Sequence, residues 1–222
     1  GLLSFSSMTM ISRVLGLVRD QAISITFGAN ATTDAFWVAF RVPNFLRRLF
    51  AEGSFSTAFV PVFTEVKETR PHGDLRELVA RVSGTLGGVL LVVTAIGMLA
   101  SPWLASIFSN HAEPIPGQQA LIVRLLLLTF PFLLFVSLTA LAAGALNSYH
   151  RFGLPAFTPI ILNLCMIAGA IWGSKIADPP IMALGWAVLA GGILQLLFQF
   201  PQLAQLDLLG GDAAARSGAL VV

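Results

Sequence analysis

Charged residues are scarce in this sequence, and so are cysteine and tyrosine. The 222 residues include 13 Lys or Arg, 11 Asp or Glu, one Cys and one Tyr. Charged residues make up only 11% of the chain, against roughly a quarter in soluble globular domains, which excludes an ordinary soluble protein. The single Cys165 excludes an internal disulfide and any metal-ligand spacing, so we interpret it as a small buried hydrophobe.

The chain also lacks the patterns of the functions that are most easily read from sequence. Its few basic residues lie in or beside apolar segments, so the net charge of +2 is not a nucleic-acid signature. There is no paired nucleophile and base, no glycine-rich phosphate loop and no cluster of metal ligands. The sequence therefore predicts no catalytic residue, no metal and no cofactor.

Apolar residues are abundant. They make up 56% of the chain, and the mean hydropathy is +0.82, which is typical of a membrane protein that crosses the bilayer several times. The chain begins at Gly1 rather than at a methionine and ends in the uninformative segment GGDAAARSGALVV. We therefore expect it to be part of a larger protein, with residues 207–222 forming a cytoplasmic tail or a linker.

The stretch from Ser12 to Gly53 combines membrane-like hydropathy with many charges. Its charged residues are Arg13, Arg19, Asp20, Asp34, Arg41, Arg47, Arg48 and Glu52. An ionisable group at the centre of a bilayer costs about 2.5–3.5 kcal/mol on insertion scales. Such groups persist where they face a wet cavity, pair with one another or meet a charged substrate. The excess of arginine over carboxylate indicates an anion as the missing partner.

Helical periodicity places the charges of the first segment, residues 2–27, on one side. Thr9, Arg13, Gly16 and Asp20 recur at a spacing of three or four residues, and Ser12 and Arg19 follow an adjoining line. The opposite stripe is apolar and is predicted to face lipid; it consists of Ile11, Leu15, Val18, Ala22 and Ile25. We favour a spanning helix over one that lies on the membrane surface, because a second arginine-bearing apolar segment follows at once.

The second segment, residues 34–64, has its own charged face. Asp34, Arg41 and Arg48 are seven residues apart and Glu52 follows four residues later, so all four share one face of a straight helix. Thr33 is the predicted N-cap, and Asp34 either complements the helix dipole or belongs to this face. Pro43 is predicted to kink the helix just before Asn44, as in transporter sites.

Four more spans follow, at approximately 82–108, 120–148, 154–172 and 181–206, which gives a six-helix transmembrane lobe over residues 1–206. Residues 65–81 are predicted to be a hydrophilic loop, and Gly84 and Gly88 form a GxxxG spacing that suits helix packing. Most basic loop residues fall on one side, with Lys175 the exception. The positive-inside rule then places the amino terminus in the cytoplasm.

Three stretches resemble a known family. They are SSMTMISRVLGLVRD, FGANATTDAFWVAFRVPNFLRRLFAEGSFSTAFVPVF and LNSYHRFGLPAFTPIILN. They are similar to signatures of the MurJ (MviN) lipid II flippases, which belong to the multidrug/oligosaccharidyl-lipid/polysaccharide exporter superfamily. The resemblance implies a fourteen-helix protein of the bacterial inner membrane, in which two pseudo-symmetric six-helix lobes enclose a cavity. This chain would be the first lobe, with lipid II, membrane lipid and the second lobe as its partners and no nucleic acid.

The resemblance also implies roles for individual residues. Arg13 and Arg19 match cavity arginines of the family's first helix, Arg47 matches a functionally important arginine of its second helix, and Asp34 matches an acidic residue at the outer end of that helix. Arg41 stands where the family often has lysine. The predicted residues that bind the pyrophosphate of lipid II are Arg13, Arg19, Arg41, Arg47 and Arg48, and the predicted gating residues are Asp34, Pro43 and Glu52.

Three alternatives remain at this point. One is a cation-coupled drug exporter of the same superfamily, which would be expected to carry carboxylates rather than arginines in its cavity. Another is an exporter of a different lipid-linked oligosaccharide. A membrane scaffold without transport activity would pair its charges internally. We expect a flippase that works by alternating access.

Overall fold

The protein is described by a computed structural model that covers residues 2–49, 54–108 and 116–209. These residues are helical, and no strand occurs among them. The helices are α1 (Leu2–Phe27), α2 (Ala31–Arg47), α3 (Ser54–Thr69), α4 (His72–Leu99), α5 (Ser101–Phe108), α6 (Gln118–Ser148), α7 (Gly153–Ile171) and α8 (Met182–Gln205). Over the described ranges, four helical segments are long and apolar enough to cross a membrane, namely α4, α6, α7 with its following turn, and α8.

The predicted second helix is divided in the structure. Residues 31–47 form α2, Arg48 and Leu49 continue it with π-helical geometry, and α3 begins at Ser54. The predicted N-cap Thr33 is wrong: Asn30 caps α2, and its Oδ1 accepts the backbone N–H groups of Thr32 (3.0 Å) and Thr33 (3.2 Å). Gly28 precedes it with a φ of +70°, which lets the chain reverse tightly after α1 and places Asn30 ahead of the new helix.

The predicted hydrophilic loop at 65–81 is also wrong, because it is helical except at one turn. α3 continues to Thr69, and α4 begins at His72, directly after Pro71. Leu75, which is 1% exposed, and the partly buried residues Leu78, Val79 and Val82 recur at helical spacing and pack into the core. The charged residues between them face outward. This is the pattern of an amphipathic helix, which a count of charges alone does not reveal.

The predicted third helix, 82–108, contains a break. α4 ends at Leu99 and α5 begins at Ser101, with the helix N–H of Ala100 still bonded to carbonyls of the last turn of α4. Pro102 then stands in the first turn of α5, where its missing N–H costs least. The segment therefore changes from one helix to the next without a loop.

Helix α6 is the centre of the fold. It packs against α2, α3, α4, α5 and α8, while α8 also packs along α7, and α1 lies against α7. The core has two clusters. One cluster surrounds Phe36 and Phe130 between α2, α6 and α8, and the other surrounds Phe63, Leu90 and Leu146 between α3, α4 and α6.

Glycine permits close approach between α7 and α8. A Cβ added at Gly169 would lie 2.7 Å from the Cβ of Ala187, so a side chain at this position would force the helices apart. The predicted GxxxG pair behaves differently, because a Cβ at Gly84 or Gly88 would meet no atom within 4 Å. The packing role predicted for that pair is therefore wrong within the described part of this chain.

Basic side chains gather at one end of the bundle. Lys67 donates to the carbonyl of Ser148, Arg76 pairs with Asp207 at 3.3 Å, and Arg151 Nη1 donates to Gln205 Oε1 at 3.1 Å. These contacts bring the ends of α3, α6 and α8 beside the start of α4 and the α6–α7 link. We call this the basic end. Burial raises the pKa of Tyr149 there, so its ring is neutral beneath the Lys67 ammonium, 4.6 Å away.

The opposite end holds the turn between α1 and α2 and the start of α6. Gln118 Nε2 lies 3.5 Å from the carbonyl oxygen of Ala31 and ties the two together. From this end α2 runs back towards the basic end, which α3 then reaches. The arginines of α2 are thus placed along the length of the bundle rather than in a surface loop.

Candidate anion-binding site

The two helices that carry the candidate arginines are joined by a turn but have different neighbours. α1 lies along α7, whereas α2 lies along α6, and beyond the turn the two helices make little contact with each other. Thr129 of α6 donates to the carbonyl of Ala39 at 3.0 Å and fixes the middle of α2. Each arginine-bearing helix is therefore held on one side only and leaves a face unpacked.

Helix α1 exposes Arg13 and Asp20 on its unpacked side. The predicted apolar stripe divides: Ile11, Val18 and Ile25 are exposed, but Leu15 and Ala22 are partly buried, with Ala22 against the core. The prediction that the whole stripe faces lipid is therefore wrong. The reason is that α1 needs an apolar stripe to pack against α7, and the side that carries Leu15 and Ala22 supplies it.

Arg19 lies at the edge of this packed side and is held from two directions. Its Nε and Nη2 donate to Oδ1 of Asp20 at 2.9 and 2.7 Å, and its Nη1 donates to Oδ1 of Asn163 on α7 at 3.0 Å. The Nδ2 group of Asn163 donates in turn to the backbone carbonyl of Ser12 at 3.2 Å. Three of the five guanidinium N–H groups are therefore used within the chain, and two remain for another acceptor.

The exposed face of α2 carries Asp34, Arg41 and Arg48, with Phe45 between the two arginines. Within the described residues, Asp34, Arg41 and Arg48 form no hydrogen bond or ion pair through their side chains, and the same holds for Arg13 on α1. Among the described residues, Arg13, Arg41 and Arg48 thus have no carboxylate partner. Three guanidinium groups on apolar helices without a countercharge are suited to an anionic ligand.

Arg47 is half-buried and lies beside this face rather than on it. Its Nε donates to Oδ1 of Asn44 at 3.0 Å, one helical turn earlier. Pro43 is buried inside α2, and the helix continues through it to Arg47, so the kink expected before Asn44 does not end the helix. The irregularity comes later, where the N–H of Arg48 contacts the carbonyls of both Asn44 and Phe45. The predicted gating residue Glu52 lies outside the described residues.

Sequence reasoning missed two polar residues of the described helices. Asn163 is 6% exposed and binds Arg19. It is the last residue of one of the stretches that resemble the family, but no sequence pattern indicated this contact. Arg124 on α6 lines a cavity of about 350 Å³ with Ala31, Thr32 and Gln118 at the end opposite the basic end. The sequence could have indicated Arg124, because it is a lone arginine within the apolar run IVRLLLL.

A wider groove lies elsewhere and has a different character. It has a volume of about 560 Å³ and runs between α7 and α8, where it is lined by small apolar residues with Trp186 and Ile176. No charged side chain lines it. It is therefore not part of the candidate anion-binding site.

The comparisons with known proteins agree with one another. Residues 23–217 match the family described as "Lipid II flippase MurJ". The chain is 42% identical over 207 residues to "Lipid II flippase MurJ" of Burkholderia cenocepacia, covering 93% of this chain and 40% of that protein. It is 44% identical over 211 residues to "Probable lipid II flippase MurJ" of Haemophilus influenzae, with 91% and 41% covered.

A solved structure is also similar. It is described as "Lipid II flippase MurJ, inward closed conformation", and it matches with a TM-score of 0.76 and 29% identity over 92% of this chain and 42% of that chain. The chain thus spans about two fifths of the length of these relatives.

The exposed face of α2 is expected to be wet. Arg41→Cys and Arg48→Cys, each in a Cys165→Ala background, should react with a small charged thiol reagent in membranes, because a thiol ionises and reacts only where water reaches it. Leu91→Cys and Val92→Cys on α4 are matched controls: these residues are 57% and 59% exposed but apolar, and they should stay unreactive in lipid. If Arg41→Cys and Arg48→Cys were as unreactive as the two controls, the exposed face of α2 would be exposed to lipid rather than to water.

Proposed function

This chain belongs to the MurJ family of lipid II flippases, and from that premise we propose that it is the first lobe of a protein that moves lipid II from the inner to the outer leaflet of the bacterial inner membrane. One observation carries the proposal. The exposed faces of α1 and α2 present Arg13, Arg41 and Arg48 without carboxylate partners in the described chain, and Arg19 on α1 keeps two unused N–H groups. The head group of lipid II offers the missing anion.

The chemistry of a pyrophosphate suits these residues. A pyrophosphate has at least two negative charges and many acceptor oxygens, and guanidinium groups replace its water shell with charge-assisted hydrogen bonds. Each such bond contributes about 1.5–3 kcal/mol. Arg13, Arg19 and Arg47 form the proposed centre of the site, and Arg41 and Arg48 extend it along α2. The ligand in turn offsets the cost of holding these cations among apolar helices.

Six crossings with the amino terminus in the cytoplasm are part of the proposal. α1, α6, α7 and α8 each supply one crossing, α2 with α3 supplies a broken one, and α4 with α5 supplies another. The basic end, with Lys67, Arg76 and Arg151, then faces the cytoplasm by the positive-inside rule. The tail or linker expected at residues 207–222 cannot begin at 207, because Asp207 pairs with Arg76 and Leu208 is buried in the core. Residues 210–222 remain the proposed tail or linker.

A second lobe completes the proposed transporter. The unpacked faces of α1 and α2 would line one side of a cavity, and a second six-helix bundle would line the other. The relatives are long enough to contain a second bundle, because this chain covers only about two fifths of their length. Rocking of the lobes would expose the cavity to each leaflet in turn while the prenyl tail stays in lipid. Asp34 stands exposed at the proposed outer end of α2, where it would pair with the opposite lobe and close the cavity.

Transport, rather than catalysis, is the function proposed. The drug-exporter alternative is not favoured, because the curated relatives above are named lipid II flippases and arginines outnumber carboxylates on the described parts of α1 and α2. A scaffold that pairs its charges internally is not favoured either, since Arg13, Arg41 and Arg48 have no such partner in the described ranges.

The proposed site predicts how arginine substitutions act in the complete transporter. Arg13→Ala, Arg19→Ala and Arg47→Ala should each weaken lipid II binding by about tenfold or more, since each removes a charge-assisted contact. The corresponding lysine variants should be intermediate or nearly as poor, because they keep the charge but lose the planar fork. Lipid II affinity in nanodiscs and flipping in vesicles are the measurements.

Arg81→Ala is the matched control for these variants. Arg81 is an exposed arginine on α4 that pairs with Glu77, outside the proposed site, so its loss should leave lipid II affinity unchanged. Full affinity in all three alanine variants of the site, with normal amounts of folded protein in the membrane, would exclude a pyrophosphate site. Loss of the protein itself would instead indicate a structural role for the arginine concerned.

The proposed orientation has its own test. In the Cys165→Ala background, His72→Cys at the basic end should be protected from an impermeant thiol reagent in intact cells, and Lys175→Cys between α7 and α8 should be labelled. Both positions are exposed, so accessibility to reagent is limited by the membrane alone. The opposite labelling would reverse the orientation and place the basic end outside.

A further inference from the structure

We infer that Asn163 is a positioning residue of the site: it fixes the Arg19 guanidinium so that its two unused N–H groups face an incoming pyrophosphate. The inference rests on the proposed function and deepens it. Its basis is a chain of contacts in which Asn163 of α7 links the side chain of Arg19 to the backbone of α1. Asn163 has no part in catalysis and need not touch the ligand.

Asn163 is unusual for a residue on an apolar helix. It is 6% exposed in the middle of the sequence PIILNLCMI, where an amide with an unused polar atom would be costly. Both of its polar atoms are used. Oδ1 accepts from Arg19 Nη1 at 3.0 Å, and Nδ2 donates to the carbonyl of Ser12 at 3.2 Å. Through these two bonds, Asn163 on α7 links the side chain of Arg19 to the backbone of α1 at Ser12.

The two bonds together constrain the direction of Arg19. The carboxylate of Asp20 engages Nε and Nη2 along one edge of the guanidinium group, and Asn163 engages Nη1 from α7. Hydrogen bonds at Nε, Nη1 and Nη2 restrict rotation about the side-chain bonds of Arg19, so the plane of its guanidinium group is fixed. The remaining N–H groups, one on Nη1 and one on Nη2, are therefore presented in a fixed direction before a ligand arrives.

The choice of an amide rather than a carboxylate also matters. Arg19 already has one carboxylate neighbour in Asp20, and a second would make the group of three side chains net negative and repel an anion. An asparagine oxygen accepts the same hydrogen bond without adding charge. Asn163 thus positions the arginine and leaves its attraction for pyrophosphate intact.

Two substitutions separate positioning from charge. Asn163→Ala frees Nη1 of Arg19, so lipid II affinity in the complete transporter should fall roughly three- to tenfold, the effect of ordering one long side chain on binding. Asn163→Asp keeps the acceptor but adds a negative charge, and its affinity should fall further, by about tenfold or more. The probe is lipid II in nanodiscs, and thermal stability is recorded for each variant.

Gln195→Ala is the matched control. Gln195 on α8 is also a buried amide and is 3% exposed. Its Nε2 donates at 2.8 Å to the carbonyl of Thr158 on α7, the helix that carries Asn163. Its loss removes a buried hydrogen bond between α7 and α8 and should leave lipid II affinity unchanged. Equal losses of affinity in Asn163→Ala and Gln195→Ala would show that any weakening of the bundle has this effect, and would overturn the inference.

A double-mutant cycle with Arg19→Ala decides the matter. If Asn163 acts through Arg19, then Asn163→Ala adds nothing to the loss already caused by Arg19→Ala, whereas a separate structural effect adds in full. Additive losses would overturn the inference while leaving Arg19 as a ligand. If Arg19→Ala and the other arginine variants bind lipid II normally, the proposed function fails, and the positioning role fails with it.

Discussion

An arginine on an apolar helix needs water, a carboxylate or an anionic ligand, and this constraint explains the arrangement of the arginine-bearing helices. α1, α2 and Arg48 directly after α2 together hold five arginines but only two carboxylates, and one of the two, Asp20, is bound to Arg19. A fold that enclosed these helices would have to bury unmatched cations. The structure instead packs α1 on α7 and α2 on α6, and each keeps one charged face unpacked.

The remaining helices make this arrangement rigid. α6 and α8 provide the most deeply buried surfaces of the described chain, including Leu125, Leu126, Leu184 and Val188, which are fully buried. Contacts such as that between Thr129 and Ala39 fix α2 on this support, and Asn163 fixes α1 on α7. Helices that are anchored from behind fix the backbone positions of the arginines without ligand, and the side chains of Arg19 and Arg47 are also held by hydrogen bonds, which lowers the entropic cost of binding.

Much of the fold follows from patterns in the sequence. Long apolar runs predicted α6, α7 and α8 to within two residues at each end, because such runs have few other structures open to them in a membrane. Segments with mixed composition were harder. The charged residues of 65–81 suggested a loop, although Leu75, Leu78 and Val82 form a buried helical stripe. Asn30 took the capping role expected of Thr33, since a left-handed glycine two residues earlier sets the geometry.

The candidate site was predictable in its charges but not in its contacts. Arginines within apolar segments stand out, so the sequence indicates Arg13, Arg41 and Arg48 directly. The role of Asn163 depends on a contact with Arg19 across a sequence separation of 144 residues, which no local pattern encodes. The same holds for Arg124, whose cavity is completed by residues from the start of α2 and from Pro179.

A structure of the complete transporter with bound lipid II tests the central claim most directly. The account predicts that the pyrophosphate lies against the unpacked faces of α1 and α2, with phosphate oxygens about 2.7–2.9 Å from guanidinium nitrogens of Arg19 and of Arg13 or Arg47. Arg19 should keep its contact with Asn163 in that complex. A pyrophosphate bound elsewhere, with these arginines paired to carboxylates of the rest of the protein, would contradict the account.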